Sequence, residues 1–248
     1  MLNLRKHNIL RKNSLFGKLI RLPLLMVPKN KAISVLSGPL KGAKWIVGSH
    51  NHSAWLGTYE TNQTLIFADK CKGLKVFWDL GAHAGYYTLL FKTVNKDSSV
   101  FAFEPIADNV SYFQRHLELN YINNVVLFEK AVSNEEGVLK FARGNSVGGK
   151  LSEGGDMTVS VVKLSKLLVE QAIEFPDIIK MDIEGAEFKV LQDLKPHLLS
   201  KKKPIIFLST HGKKVQEQCL KLMETLDYKI TPLDPKNPRN TKEYLLEP

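Results

Sequence analysis

From residue 75 onward the chain alternates short apolar runs with amphipathic helical stretches, and this alternation restricts the fold more than any other feature. The apolar runs cover residues 75–80, 99–104, 125–130, 178–183 and 205–208. Helical spacing covers 86–94, 107–120, 186–197 and 213–226. Continuous apolar strands separated by helices are expected where a parallel sheet is covered on both faces. Residues 137–142 and 158–162 read as extra strands, joined by the glycine-rich stretch 143–156. That stretch is either a lid near a site or a plain surface loop. At the C-terminus, "YKITPL" and "KEYLLE" are strand-like with no helix between them, so they are expected to pair as an antiparallel hairpin at the sheet edge.

Upstream, residues 34–48 read as a short hairpin with a Gly-Pro turn. Residues 50–67 read as a loop that leads into a helix starting near Glu60. Residues 1–70 are therefore expected to form a basic arm, a hairpin and a capping helix, ahead of a main domain at 71–248. Charge follows the same division. The chain carries 35 Lys and Arg against 25 Asp and Glu, a net +10. The first acid is Glu60, with ten basic residues before it, so the whole excess lies in the first 59 residues. A neutral main domain argues against a nucleic-acid groove across the core. Residues 2–27 have the pattern of a basic amphipathic helix, suited either to an anionic membrane surface or to packing on protein, including a second copy of the chain. "LPLLMV" is short, and no small-residue cleavage site follows it, so a secretory leader is not expected. No stretch approaches the ~20 apolar residues of a membrane span. Cys71 and Cys219 are far apart and lack metal-ligand spacing, which fits a reducing compartment. The expected location is cytoplasmic, with the arm peripheral at the inner membrane face.

In open parallel sheets, ligands bind beyond the carboxyl ends of the strands. The first strand runs into Asp79-Leu80-Gly81-Ala82-His83-Ala84-Gly85-Tyr86. Gly81 permits a tight turn, and Gly85 lets the next helix start close to the sheet. The next strand ends in Glu104-Pro105, with the acid 19 residues past Gly85 and Asn109 opening the helix behind it. An acid about 20 residues after such a loop is placed to take two ribose hydroxyls. A dinucleotide would require G-x-G-x-x-G, and His83 stands at the second glycine. The acid before the loop would repel a pyrophosphate but attract an ammonium group. That combination suits S-adenosylmethionine, with its amino-acid tail, and makes a nicotinamide oxidoreductase the weaker reading.

The third strand ends in Ala131-Val132-Ser133, which is either a floor for an adenine ring or an ordinary turn. In the fourth, "DIIKMDIEGAE", Lys180, Asp182 and Glu184 share one side of an extended strand. Charges at the end of a doubly covered strand are rarely tolerated unless paired. They mark a reaction site, or else a structural Lys–Asp pair with Glu184 capping the following helix. His211, at the end of the fifth strand, is placed to face these acids and to serve as a general base. Tyr59 and Glu60 precede the core and could close over the cofactor. Asp182, Glu184 and His211 also offer oxygen and nitrogen ligands for a divalent metal ion, though nothing in the sequence requires one.

Together, "GTYE" at Gly57, "WDLGAHAGYYT" at Trp78, "FAFEP" at Phe101, "NNVVLFEKAVSN" at Asn123 and "IIKMDIEGAEFKVL" at Ile178 resemble the FkbM family of S-adenosylmethionine-dependent methyltransferases. The resemblance covers about 34–233. It implies a Rossmann-like class I methyltransferase fold of the α/β class, with a mostly parallel seven-stranded sheet, here extended by the N-terminal basic arm and hairpin. It also implies methyl transfer to a hydroxyl or carboxylate oxygen of a sugar, glycan or natural product. Carried over, Asp79, Gly81 and Gly85 would hold the methionine part and Glu104 the ribose. Asp182, Glu184 and His211 would line the acceptor side. Where many members carry an acidic Leu-Asp-Asp-type turn, this chain has Leu164-Ser165-Lys166. RNA methylation through the basic arm and a non-catalytic cofactor-binding role are the alternatives. The first lacks an Asn/Asp-Pro-Pro-aromatic run.

Overall fold

A computed structural model describes residues 26–143, 149–151, 157–200, 202–234 and 241–248. Its centre is a seven-stranded sheet. In chain order the strands are β3 (Val76–Leu80), β4 (Ser99–Phe103), β5 (Val125–Phe128), β10 (Ile178–Met181), β11 (Ile205–Ser209), β12 (Lys229–Pro232) and β13 (Glu243–Glu247). Their spatial order is β12-β13-β11-β10-β3-β4-β5. β5, β4, β3, β10 and β11 run parallel. β13 is antiparallel to both β11 and β12. Numbered within this sheet alone, the order is 3-2-1-4-5-7-6. Strand order reverses between β3 and β10, which opens a crevice at their carboxyl ends.

The helices that cover the sheet are α2 (Thr61–Lys70), α3 (Tyr86–Val94), α4 (Ala107–Leu119), α6 (Glu187–Ser200) and α7 (Lys213–Thr225). Side chains alternate between the two faces along each strand. Phe77, Val100, Ile178, Phe207 and Leu245 enter one cluster, together with Phe67 and Phe91. Trp78, Phe101, Ile179, Ile206 and Leu246 enter the other, together with Leu191 and Met223. This is why the strands read as unbroken apolar runs. It also puts Asp79 and Lys180 on the Phe77 face. They are direct partners in the β3–β10 register.

The early hairpin is β1 (Ala32–Ser34) and β2 (Lys44–Ile46), antiparallel as expected. It docks on α4. The Trp45 ring stacks on His116 at 4.0 Å. The Ile46 N–H donates to His116 Nε2 at 2.9 Å, and His116 Nδ1 bonds the Ala84 carbonyl at 2.8 Å. Burial lowers the His116 pKa to about 4. The neutral ring thus ties the extension to the loop after β3. Trp45, Trp55 and Phe67 share their core cluster with Phe77 and Phe207 of the main sheet.

Several local expectations need correction. The stretch expected as a loop before Glu60 contains a short helix, α1 (His52–Leu56), capped by the Asn51 side chain. The third strand ends at Phe128 rather than residue 130. The chain then leaves the main sheet, and β6 (Ala131–Val132) joins a second sheet with β9 (Met157–Val162), β7 (Gly137–Arg143) and β8 (Gly149–Leu151), in the order β6-β9-β7-β8. A further helix, α5 (Leu164–Val169), precedes β10. β10 itself stops at Met181, and Glu184 has φ +53°, so residues 182–184 form a turn and not the expected strand extension. At the start of the next helix the Glu187 carboxylate accepts from the Gly185 N–H at 3.0 Å. The expected arm helix over 2–27 and most of the glycine-rich stretch fall outside the described residues. Among the described residues no helix is long and apolar enough to cross a membrane.

Candidate active site

The crevice at the strand ends holds a cavity of about 410 Å³. That lies in the ~300–1,000 Å³ range of small-molecule sites. Of the expected site residues, Tyr59, Asp79, Gly81, Ala82, His83, Tyr86, Glu104, Pro105, Asn109, Ala131, Val132, Lys180, Asp182 and Glu184 line it. Glu60, Gly85, Ser133 and His211 stand behind the wall or at its margin. Ser133 is fully buried, and its N–H is spent on the Val162 carbonyl. Glu60 reaches the wall through Tyr87, whose hydroxyl donates to Glu60 Oε2 at 2.6 Å.

The loop after β3 is tight because the protein's own backbone crowds it. Gly81 has φ +79°, and a Cβ there would lie 1.9 Å from the Asp182 carbonyl oxygen. Gly85 has φ +84°, and a Cβ there would lie 2.8 Å from the Phe113 ring. The two glycines bring the first loop against the turn after β10 and against α4. Glu104 secures the same loop from the other side. Its Oε2 accepts from the His83 N–H, and its Oε1 accepts from the Ile106 N–H and the Asn109 amide, at 2.9, 2.9 and 3.1 Å. Burial raises the Glu104 pKa against the pull of these three bonds. Asp79 is 2% exposed and accepts from the Thr88 hydroxyl at 2.7 Å. Burial raises its pKa to about 6, opposed by Thr88 and Lys180.

Lys180 is the buried cation of the site, 2% exposed. Its Nζ donates to Ser209 Oγ at 2.6 Å, pairs with Asp182 Oδ2 at 3.3 Å, and lies 5.4 Å above the Tyr87 ring. Ser209 in turn donates to Glu243 at 2.5 Å. Burial pushes the Lys180 ammonium down, but Asp182, Glu243 and Glu60 together hold it above its ordinary value. Burial pushes Asp182 up, and Lys180 and His211 more than reverse that, so its carboxyl sits below the usual range. The carboxylates around one ammonium leave an excess of negative charge at this end of the cavity, which suits a cationic ligand.

At the margin, His211 Nε2 lies 3.6 Å from Asp182 Oδ1 and 3.4 Å from Glu184 Oε2. Its Nδ1 bonds Glu187 Oε1 at 2.9 Å. Burial lowers the His211 pKa, and Glu187, Asp182 and Glu184 raise it past its ordinary value.

Sequence reasoning did not find Trp45, His50 or Asn51, which line the cavity from the N-terminal extension. Its polar run "HNHS" was the available signal. His50 is held edge-on to Tyr59 and His83, at 4.7 and 5.0 Å between ring centroids. Burial lowers its pKa. Glu187 and Glu243 were also missed. They lie on a helix and on the last strand, and only folding brings them to the site.

A family model described as the methyltransferase FkbM domain matches residues 79–231. Among curated proteins, the chain is 28% identical over 160 residues to Methyltransferase 1 of Beauveria bassiana, covering 52% of this chain and 64% of that protein. It is 27% identical over 131 residues to the hexuronic acid methyltransferase AglP of Haloferax volcanii, covering 50% and 52%. The chain thus spans about half to two thirds of the length of these relatives. Among solved structures it is similar to a precorrin-6y C5,15-methyltransferase from Geobacter metallireducens, at 12% identity and TM-score 0.49, covering 75% of this chain and 86% of that one. It is also similar to the SAH-bound Podospora anserina methyltransferase PaMTH1, at 10% identity and TM-score 0.48, covering 77% of each.

Proposed function

Because the chain belongs to the FkbM methyltransferase family, we propose that it is an S-adenosylmethionine-dependent O-methyltransferase acting on a hydroxyl or carboxylate of a sugar, glycan or natural product. The observation that carries this reading is the cavity at the strand-order reversal, with Asp79 and Glu104 in its wall and an excess of carboxylates at one end. The hexuronic acid methyltransferase among the relatives supports a sugar acceptor.

The residues fit the cofactor. The Asp79 carboxylate faces the cavity where a methionine ammonium would pair with it. Glu104 retains lone pairs beyond its three protein bonds, since each carboxylate offers about four acceptor sites, and these would take ribose hydroxyls. Ala131 and Val132 give a small apolar wall for adenine. When bound, S-adenosylmethionine supplies a methyl group already activated on a sulfonium. The chain's own work is then alignment and proton removal. Lys180 fixes Asp182 in its ionised form by a 3.3 Å pair. Asp182 and His211 face the outer end of the cavity, where either can take the acceptor proton. Tyr59, held against His50, and Tyr86 close the site toward the extension and exclude water.

The test is transfer of labelled methyl from S-adenosylmethionine to a panel of hexuronic-acid glycans, neutral sugars and RNA. Label on a sugar oxygen is the expected result. Label on RNA alone would refute the acceptor class, and no label with any acceptor would favour a non-catalytic relative.

A further inference from the structure

The Asp182–Glu184–His211 vertex has a feature that the transfer reaction does not explain. Three ligand-type atoms converge there, all within 4.8 Å of one another. The two histidine–carboxylate separations, 3.4 and 3.6 Å, exceed the ~2.7–3.2 Å of an N–H···O hydrogen bond. They are ion-pair separations, and they equally match two ligands on one bridging ion. Metal–ligand bonds of about 2.0–2.2 Å place two ligands of a tetrahedron roughly 3.3–3.6 Å apart.

The surroundings orient the histidine for the same purpose. Its Nδ1 is committed to Glu187, a carboxylate that is fully buried and anchored by the Gly185 N–H. Nε2 is then the ring nitrogen turned toward Asp182 and Glu184, and in the neutral tautomer with Nδ1 donating to Glu187 it carries the lone pair a metal ion takes. A carboxylate behind a histidine whose other nitrogen faces acids is the arrangement found around metal-ligating imidazoles, where it fixes tautomer and direction. Lys180 occupies Asp182 Oδ2 and leaves Oδ1 on the histidine side. The three side chains are 30–40% exposed, so water and an acceptor oxygen can reach the open positions.

We propose that Asp182, Glu184 and His211 bind one divalent metal ion at the mouth of the cavity, with Glu187 as the positioning residue behind His211. Two hard oxygens and one imidazole suit Mn²⁺ or Zn²⁺ better than Mg²⁺, which favours oxygen and water throughout. With the ion bound, His211 and Asp182 are ligands in place of proton acceptors, and Lys180 holds Asp182 in position. An ion there would polarise an acceptor oxygen beside the cofactor. That catalytic role rests on the methyltransferase reading, whereas the binding does not.

The experiment is titration of the metal-stripped full chain with Mn²⁺, following loss of the free-ion EPR signal. Saturable binding of one ion per chain is expected, displaced by Zn²⁺. His211→Ala and Glu184→Gln should weaken it at least about tenfold. Glu187→Gln should weaken it about 10–100-fold, with the circular dichroism spectrum unchanged. No saturable binding up to millimolar Mn²⁺ overturns the proposal, as does binding that survives His211→Ala. In the second case the vertex is an imidazolium held between carboxylates. S-adenosylmethionine is titrated into the same sample. A chain that binds S-adenosylmethionine but shows no saturable Mn²⁺ binding overturns only this inference, and one that binds Mn²⁺ but no S-adenosylmethionine overturns only the methyltransferase reading.

Discussion

Replacing Gly81 by alanine should damage the protein far more than the same change at Gly73, although the backbone is almost the same at both. Gly81 has φ +79° and Gly73 φ +75°. A left-handed residue other than glycine costs about 1–2 kcal/mol at either position. The difference lies in what the new methyl meets. At Gly73 nothing lies within 4 Å, whereas at Gly81 the Asp182 carbonyl oxygen is 1.9 Å away. An ordinary carbon–oxygen contact is about 3.3 Å or more, so the loop or the β10 turn must separate by roughly 1.4 Å. Overpacking of that kind costs typically about 1–3 kcal/mol beyond the backbone term. The expected loss is therefore about 1–2 kcal/mol for Gly73→Ala and about 2–5 kcal/mol for Gly81→Ala. Urea unfolding of both variants measures it. The shift should also displace Asp182, so S-adenosylmethionine affinity should fall in Gly81→Ala and stay unchanged in Gly73→Ala. Equal losses in the two variants would refute the close approach as the reason for the glycine.

Three further outcomes follow from buried charge. His116 has its pKa lowered from 6.5 to about 4, so the unfolded chain takes up a proton before the folded one as pH falls. Stability from this residue is complete above 6.5 and is lost between 6.5 and about 4. It should drop by about 2 kcal/mol between pH 7.5 and 5, and His116→Gln should flatten that slope in urea unfolding. Asp79 has its pKa raised to about 6, so a cation binds its ionised form only above that pH. The calorimetric Kd for S-adenosylmethionine should rise about tenfold from pH 7 to 5, and Asp79→Asn should bind weakly at both. Lys180→Met leaves Asp182 and Glu243 without their buried cation. Loss of one partner of a fully buried pair costs about 3–5 kcal/mol; with the Asp182 side chain 32% exposed the loss should fall below that range, read as a lower urea midpoint.

The main sheet was legible in the sequence because strands buried on both faces must read as apolar runs, and β3, β4, β10 and β11 do. Asp79, Glu104 and Asp182 were legible because a charge ending such a run is costly without a purpose. The second sheet was legible only in part: β7 and β9 stand where residues 137–142 and 158–162 read as extra strands, whereas β6 was taken as the end of the third main-sheet strand. β6 is two residues long, and Ala131–Val132 carries no periodicity of its own. Glu184 was placed on a strand because nothing in an acidic side chain announces a left-handed turn. Its φ is +53°. Trp45 and His50 reach the cavity through the stacking of the hairpin on α4. That contact spans about 70 residues of sequence, and no local pattern records it. Gly81 was legible as a tight turn, but not what crowds it. The room at Gly81 is taken by the Asp182 carbonyl, a pairing visible only once β3 and β10 lie side by side.

The most direct test of the central claim is calorimetric titration of S-adenosylmethionine and of NADH into the purified chain, with Asp79→Ala and Glu104→Ala alongside. Micromolar binding of S-adenosylmethionine alone, lost in both variants, is the expected result. Binding of NADH, or S-adenosylmethionine binding that survives both substitutions, would contradict it.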